Sequence, residues 1–396
     1  MRYLLVAVLL AACADAPQAQ SELDRLTASV IPHVERAAGL TFKEPPRIAV
    51  RSRPQVEAYL QAKLDDEFPP EQLDRVASAY RLFGLMSDTT DLRSLILALL
   101  AEQVVGYYDP DSTTLYVVEG ADPVQLRFIV SHELVHALQD QYVRLDSMLE
   151  LRQQNDARMA FQAVMEGQAT LGAVAAILPQ QNLQALPNFW RDYRQTIREQ
   201  QAQMPVFHAA PLILREGLVF PYVAGMDFMR WFNSTYPDTV PFGPRLPRST
   251  EHILHPEKYR VGDAPTRLRF TTAPEDGELV YEDDLGQFES GILMWELSGS
   301  ESMGNASVLG WDGDRYAVYQ AGDARALVWW TVWDDEQAAR KFAAVLEREW
   351  PERARPGRSH VIRRSSVGSV PAVVLVDAPD GWPGLARIPA VSEVPG

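Results

Sequence analysis

Apolar residues recur every three or four positions through much of the first 275 residues, a spacing that predicts amphipathic helices. The most regular segment is VQLRFIVSHELVHALQDQY, whose apolar face consists of Leu126, Ile129, Val130, Leu134 and Leu138. Asp122 and Pro123 precede it, as expected of an N-cap and of a proline at the first helical position. Further helices are predicted at residues 54–66, 70–83, 91–103 and 155–178.

Strands are predicted where apolar and polar residues alternate. PPRIAVRSR predicts one strand, and VVGYYDPDSTTLYVVEG predicts a hairpin with its turn at DPDS. After about residue 276, RYAVYQAG, ARALVWWTVW and VIRRSSVGSVPAVVLVD predict further strands, and DDEQAARKFAAVLEREW predicts a helix with Asp334 as its N-cap. The prediction is an α+β protein: a mainly helical domain with a small sheet at 21–275, then a smaller α+β domain with its own core at 276–396.

Four tryptophans are concentrated in the predicted C-terminal sheet: Trp311, Trp329, Trp330 and Trp333. Interleaved aromatic residues of this kind form a binding face for peptide or glycan in one interpretation. In the other they are core positions of a small sheet, and the alternating pattern favours this second interpretation.

The N-terminus has the features of an export signal. Arg2 is followed by the run YLLVAVLLAA, which is too short to span a bilayer, and then by the polar stretch ADAPQAQSE. The residues LAAC, ending at Cys13, resemble the lipobox of bacterial lipoproteins. The resemblance implies a signal peptide at residues 1–12, a lipid on Cys13, a tether at residues 13–20 and attachment to the cell envelope, at its periplasmic face or surface. An ordinary signal peptide with an incidental cysteine is the alternative.

Composition narrows the class of function. The chain has 53 acidic and 37 basic residues and a formal net charge of -16, so no net basic field exists that would bind nucleic acid. A hydrophobic content of 46% is enough for a sizeable core. Cys13 is the only cysteine, which excludes an intramolecular disulfide and a thiolate metal site.

The segment HELVH carries the chemistry of this chain. His132 and His136 are four residues apart on a predicted helix, so both imidazoles project from one face and can bind one metal ion. Glu133 stands beside the first of them, where a carboxylate can take a proton from an activated water and pass it to a leaving amine. The spacing predicts a zinc site that needs a third protein ligand.

The third ligand is sought downstream. A metzincin pattern would place glycine and histidine where this chain has Gln139 and Tyr142, so it is excluded. Two glutamates remain, Glu150 in the polar segment SMLELRQQND and Glu166 in the apolar segment FQAVMEGQATLGA. A lone carboxylate in an apolar helix is costly unless it is paired or metal-bound, which favours Glu166. Small residues beside it, Gly167 and Ala169, would let this helix approach the HELVH helix closely.

HELVH, the later MEGQA and the hairpin GYYDPDSTTLYVV together resemble the gluzincin type of zincin metallopeptidase, over residues 100–175. The resemblance implies one zinc ion per chain, with Glu133 as general base and a peptide or protein as substrate. It also implies that the substrate pairs with an edge strand, expected at Thr114, Leu115 and Tyr116. In such enzymes a later Tyr or His steadies the oxyanion. The candidates for that role here are Tyr222, His252, Tyr259 and, as first choice, His255.

Two other functions are compatible with these residues. A non-catalytic lipoprotein could use the same cleft to bind a peptide or an envelope component, but it would need no general base at Glu133. Iron could occupy a His/His/Glu site for oxygen chemistry, since the ligand types permit it. Glu133→Gln separates the first alternative from a peptidase, and a bound-metal assay separates the second.

Overall fold

The computed structural model describes residues 4–143, 145, 151, 153–181, 187–275, 277–353 and 355–394. Its first nine helices are α1 (Leu4–Ala38), α2 (Arg53–Glu67), α3 (Pro70–Phe83), α4 (Leu92–Gln103), α5 (Pro123–Val143), α6 (Asn155–Ile177), α7 (Pro187–Ala202), α8 (Pro205–Ala209) and α9 (Leu212–Thr235). The remaining five are α10 (Thr250–Leu254), α11 (Pro256–Val261), α12 (Gly286–Ser298), α13 (Glu301–Ser307) and α14 (Glu336–Glu349). Among the described residues, no helix combines the length and the apolarity needed to cross a membrane.

In the part of the chain that the structure describes, ten strands form three sheets. The strands are β1 (Arg47–Arg51), β2 (Gly106–Asp109), β3 (Thr114–Val118), β4 (Leu268–Phe270), β5 (Leu279–Asp283), β6 (Trp311–Ala321), β7 (Ala324–Trp333), β8 (Arg358–Val367), β9 (Val370–Pro379) and β10 (Val391–Glu393). Their orders are β1-β3-β2, β10-β4 and β5-β6-β7-β9-β8. Only β1 and β3 pair in parallel among these. The predicted α+β class is confirmed.

The small sheet is covered by helices α1, α5 and α6. Leu115 and Val117 of β3 pack with Val130 and Leu134 of α5 in an apolar cluster that also includes residues of α1 and α6. Helix α5 therefore buries its apolar side against the sheet and α1, and this fixes the rotation of the helix that carries the HELVH segment.

Helix α6 makes its closest approach to α9, and not to α5 as the small residues suggested. A Cβ added at Gly167 would lie 2.8 Å from the backbone nitrogen of Met226, and one added at Gly225 would lie 2.7 Å from the carbonyl carbon of Ala163. The contact with α5 lies further along, where a Cβ at Gly172 would meet Val135 at 2.7 Å. Glycine is thus required at the crossing of α6 and α9 because the two backbones touch.

The large sheet packs on both faces: one face has a core formed by residues of 276–396 with Leu268 and Phe270, and the other face shares a core with helices earlier in the chain. Phe83 of α3 packs edge-on against Tyr316 and Trp329 of the large sheet, with ring centroids 5.2 and 5.3 Å apart. The same apolar cluster includes residues of α12 and α14. Strand β4, assigned from the sequence to the first domain, pairs with β10 at the end of the chain. One of the two cores of the large sheet therefore crosses the predicted boundary at residues 275 and 276, and the other lies almost entirely after it.

Other local predictions can be compared with the structure. All four tryptophans are buried, so their interpretation as core residues is confirmed. Asp335, and not Asp334, is the N-cap of α14, because its side chain accepts from the Ala338 amide while Asp334 pairs with Lys258. Helix α1 runs through the segment predicted to be signal peptide and tether. The side chain of Cys13 lies outside the described residues.

Candidate metal centre

Helix α5 presents both histidines toward α6. Leu134 and Val135, which lie between them in sequence, are fully buried. The two imidazole rings are nearly perpendicular, with centroids 4.8 Å apart, and their Nε2 atoms are separated by 3.2 Å. The sequence prediction that both rings project from one helical face is confirmed.

Glu166 of α6 brings a third donor atom to the same point. Its Oε2 lies 3.1 Å from Nε2 of His132 and 3.4 Å from Nε2 of His136. The three donor atoms thus form a nearly equilateral triangle. Within the described part of the chain, these three residues are the group of His, Cys, Asp or Glu side chains that can hold a metal ion.

The charges of the three donors are coupled. Burial would raise the pKa of the Glu166 carboxyl, but the adjacent His136 and His132 rings outweigh burial and hold this pKa well below its usual range. Burial would lower the pKa of His136, whereas the Glu166 charge opposes it and raises that pKa to about 9. The Glu166 carboxylate therefore pairs with a protonated His136 ring, and a divalent cation that binds these donors would replace the proton on Nε2.

Gln139 orients His136. Its Oε1 lies 2.8 Å from Nδ1 of His136 and accepts the Nδ1 proton, so in the neutral form of the ring, the form that binds a metal, Nε2 carries the lone pair. The Gln139 amide nitrogen donates to the Met165 carbonyl and to Oε1 of Gln168, both on α6. This role for Gln139 was not predicted from the sequence. The spacing of three residues between His136 and Gln139 on one helix is the signal that could have indicated the contact.

His132 lies between two aromatic rings. Phe128 is stacked at 6.1 Å and Tyr222 at 6.0 Å between centroids, with interplanar angles of 25° and 24°. Burial is the largest cause that raises the pKa of Tyr222 well above its usual value. The negative charges of Glu166 and Glu133 raise this pKa further. The Tyr222 hydroxyl therefore remains protonated at neutral pH, close to the Glu166 carboxylate, where it can donate a hydrogen bond.

Glu133 connects α5 to the hairpin of β2 and β3. Its Oε2 accepts a hydrogen bond from the Tyr108 amide of β2 at 2.8 Å, and the Tyr108 hydroxyl donates to Asp140 of α5 at 3.1 Å. A Cβ at Gly106 would lie 2.6 Å from Ile129 and 3.9 Å from Cγ of Glu133. The absence of a side chain at Gly106 lets β2 lie against α5, which places this carboxylate at the strand.

The prediction that Thr114, Leu115 and Tyr116 form an edge strand is wrong. These residues belong to β3, which lies between β1 and β2 and is hydrogen-bonded on both sides. The hairpin pattern could not reveal this, because the partner β1 comes from more than 60 residues upstream in the chain. Strand β2 is the edge strand of this sheet that lies next to Glu133.

The structure separates the four oxyanion candidates. Tyr222 contacts the metal centre, whereas His255 lines a different cavity on the other side of α9. Both ring nitrogens of His252 are used, by the Arg248 amide and the Asp263 carbonyl. The Tyr259 hydroxyl donates to the Arg245 carbonyl at 2.7 Å. The first choice, His255, is therefore replaced by Tyr222.

The other candidate for the third ligand, Glu150, lies outside the described residues. Among the described residues, the centre is built from α5, α6 and α9. Each helix supplies one part: two imidazoles from α5, the carboxylate of Glu166 from α6 and the hydroxyl of Tyr222 from α9.

The chain is similar to one family model and to one solved structure. Residues 256–379 match the model of a domain of unknown function (DUF8575), a range that excludes the three donor residues. No curated protein shows significant similarity to the chain. A crystal structure from Chloroflexus aurantiacus, described as that of "a putative hydrolase with a novel fold", is similar with 22% identity and a TM-score of 0.43. The similarity covers 62% of this chain and 90% of that chain.

Proposed function

We propose that this chain is a zinc-dependent peptidase of the gluzincin type, held at the cell envelope by a lipid on Cys13. The observation that carries the proposal is the triangle of donor atoms, with edges of 3.1, 3.2 and 3.4 Å. Three ligands of a tetrahedral zinc at its usual bond lengths would lie about 3.3 Å apart. The triangle therefore fits one face of a zinc tetrahedron, and the fourth corner remains for water or substrate.

When bound, zinc would supply an acidified water and a Lewis acid that polarises the scissile carbonyl. The residues of the chain supply the remaining functions. Glu133 accepts the proton of the attacking water and later donates it to the leaving amine. Tyr222 donates a hydrogen bond to the developing oxyanion, since its raised pKa keeps the hydroxyl protonated. Gln139 keeps His136 in the tautomer that leaves Nε2 free.

The edge strand β2 supports a peptide as the substrate. In antiparallel pairing alternate residues point their backbone groups away from the partner, and the Tyr108 amide points out toward Glu133 instead of toward β3. An extended peptide that adds to this edge would lie beside Glu133, which itself occupies the Tyr108 amide. Peptide-bond hydrolysis is the reaction for which an edge strand, a general base and a metal centre are needed together.

Metal content and cleavage test the proposal. The full chain, purified without chelators or a His-tag, is expected to contain one zinc per chain and to cleave members of a peptide library. Glu166→Ala should lose the zinc. Glu133→Gln should retain it and lose about 10²- to 10⁴-fold in kcat/KM, the usual contribution of a general base. Glu119→Gln is the matched control because Glu119 is exposed just before α5.

The outcomes separate the competing functions. A chain that binds no zinc, even when zinc is supplied, refutes the peptidase. Zinc binding with peptide binding but no cleavage identifies the non-catalytic lipoprotein, and iron in place of zinc identifies the oxygen-chemistry alternative. The lipid on Cys13 is tested by the mass of the N-terminal peptide, which Cys13→Ser should return to the unmodified value.

A further inference from the structure

A second cavity lies on the other side of α9 from the metal centre. It measures about 320 Å³ and is enclosed by α9, α12 and α13. Glu216, Val219, Phe220 and Val223 line it from one face of α9, while Gly225 on the opposite face meets α6. The cavity is therefore separate from the donors His132, His136 and Glu166, none of which lines it.

The body of this cavity is apolar. Phe220, Ile292 and Trp295 contribute to its walls. Two rim residues, Leu254 and Leu309, are 40% and 54% exposed, which is high for large apolar side chains. An apolar chamber with an exposed apolar rim is the usual form of a small-molecule binding site.

One polar side chain, Gln287, supports the wall of the cavity. It is 1% exposed, and its amide nitrogen donates to the Val308 carbonyl at 3.0 Å. Its Oε1 is buried beside the His255 ring, so this atom belongs to the wall and does not open into the cavity.

Two carboxylates add negative charge to the same cavity. Glu216 and Glu301 both line it, and the single cation among the lining residues, Arg198, lies 3.5 Å from Glu216. Burial raises the pKa of Glu216, Arg198 opposes the effect and the Glu301 charge adds to it. Burial also lowers the pKa of His255, so this ring is neutral at pH 7 and does not balance the second carboxylate.

We propose that this cavity binds a small amphiphile with an apolar body and a protonated amine. The apolar body would occupy the chamber between Phe220, Ile292 and Trp295. The ammonium group would donate hydrogen bonds to the carboxylates of Glu216 and Glu301, which supply the complementary charge. This site is independent of the proposed peptidase and its metal.

Three probes of equal length test the charge preference. Octylamine, octanol and octanoate are titrated separately into the full chain at pH 7 by isothermal calorimetry, below their micelle concentrations. Octylamine is expected to bind saturably, with one molecule per chain, and at least about tenfold more tightly than either of the other probes, the usual effect of one charged hydrogen bond.

Matched variants locate the binding. Glu216→Gln with Glu301→Gln should weaken octylamine binding by about tenfold or more, whereas Glu57→Gln with Glu347→Gln makes the same change in net charge at exposed helical positions and should have no effect. Ala224→Phe fills the chamber and should abolish binding. Glu166→Ala should bind octylamine like the unaltered chain.

Several results would overturn the proposal. They are the absence of saturable octylamine binding, equal affinity for octanol, preference for octanoate, and octylamine binding that survives both the charge variant and Ala224→Phe. Loss of octylamine binding in Glu166→Ala would place the ligand at the metal centre and would also refute it.

Discussion

Alanine at Gly225 should damage both the stability and the metal centre of this protein. The added Cβ would lie 2.7 Å from the carbonyl carbon of Ala163 and closer still to its oxygen, and neither backbone atom can turn aside. Nonbonded carbon atoms prefer separations of about 3.5–4.0 Å. Helices α6 and α9 would therefore have to separate by about 1 Å at their closest contact.

Gly217 supplies the control, because it lies on the same helix and an added Cβ there meets nothing within 4 Å. Alanine improves helix propensity by about 1 kcal/mol at either position, so this gain cancels when the two variants are compared. The remaining difference is the cost of overpacking, about 1–3 kcal/mol for a misfit of this kind. Gly217→Ala should be more stable than the unaltered chain, and Gly225→Ala less stable.

The assay is urea unfolding of both variants, followed by far-ultraviolet circular dichroism, with bound zinc measured on the same preparations. A shift of α6 at this crossing would displace Glu166 relative to His132 and His136 of α5, so Gly225→Ala should also bind zinc less tightly than Gly217→Ala does. The reasoning is refuted if Gly225→Ala unfolds at the same urea concentration as Gly217→Ala, because the close approach of the helices would then carry no energetic weight.

Three further predictions concern single side chains. Gln139→Leu should weaken zinc binding about 10- to 100-fold in a chelator competition, because the His136 ring loses its partner. Tyr222→Phe should retain zinc and stability but lower kcat by about 10²- to 10³-fold in peptide cleavage; unchanged kcat would remove the oxyanion role. Burial raises the pKa of Glu289 from its ordinary 4.5 to about 7, so the stability contributed by this group is full below pH 4.5 and is lost as the pH rises through 7. Glu289→Gln should therefore lose less stability than the unaltered chain between pH 5 and 8 in urea unfolding, and parallel curves would contradict this.

Local features of the fold were predictable because they depend on residues near in sequence. Helical spacing located α5 and α6, and the isolated charge of Glu166 in an apolar helix identified the third donor. Strand order was not predictable in the same way. The pairing of β1 with β3 joins segments more than 60 residues apart, and nothing within either strand specifies the other as its neighbour. The wrong assignment of Thr114 to an edge followed from this.

Contacts between helices account for the remaining differences between the predictions from the sequence and the structure. The sequence placed Gly167 next to a glutamate and predicted close packing, but it could not indicate which helix would approach. The helix that approaches α6 is α9. It brings Tyr222 against His132, whereas His255 lines another cavity. Gly167 adjoins the third donor, and Gly225 lies one turn after Tyr222. One crossing of two backbones therefore positions both the carboxylate and the hydroxyl of the metal centre, and small residues at that crossing are part of the site even though they carry no reactive group.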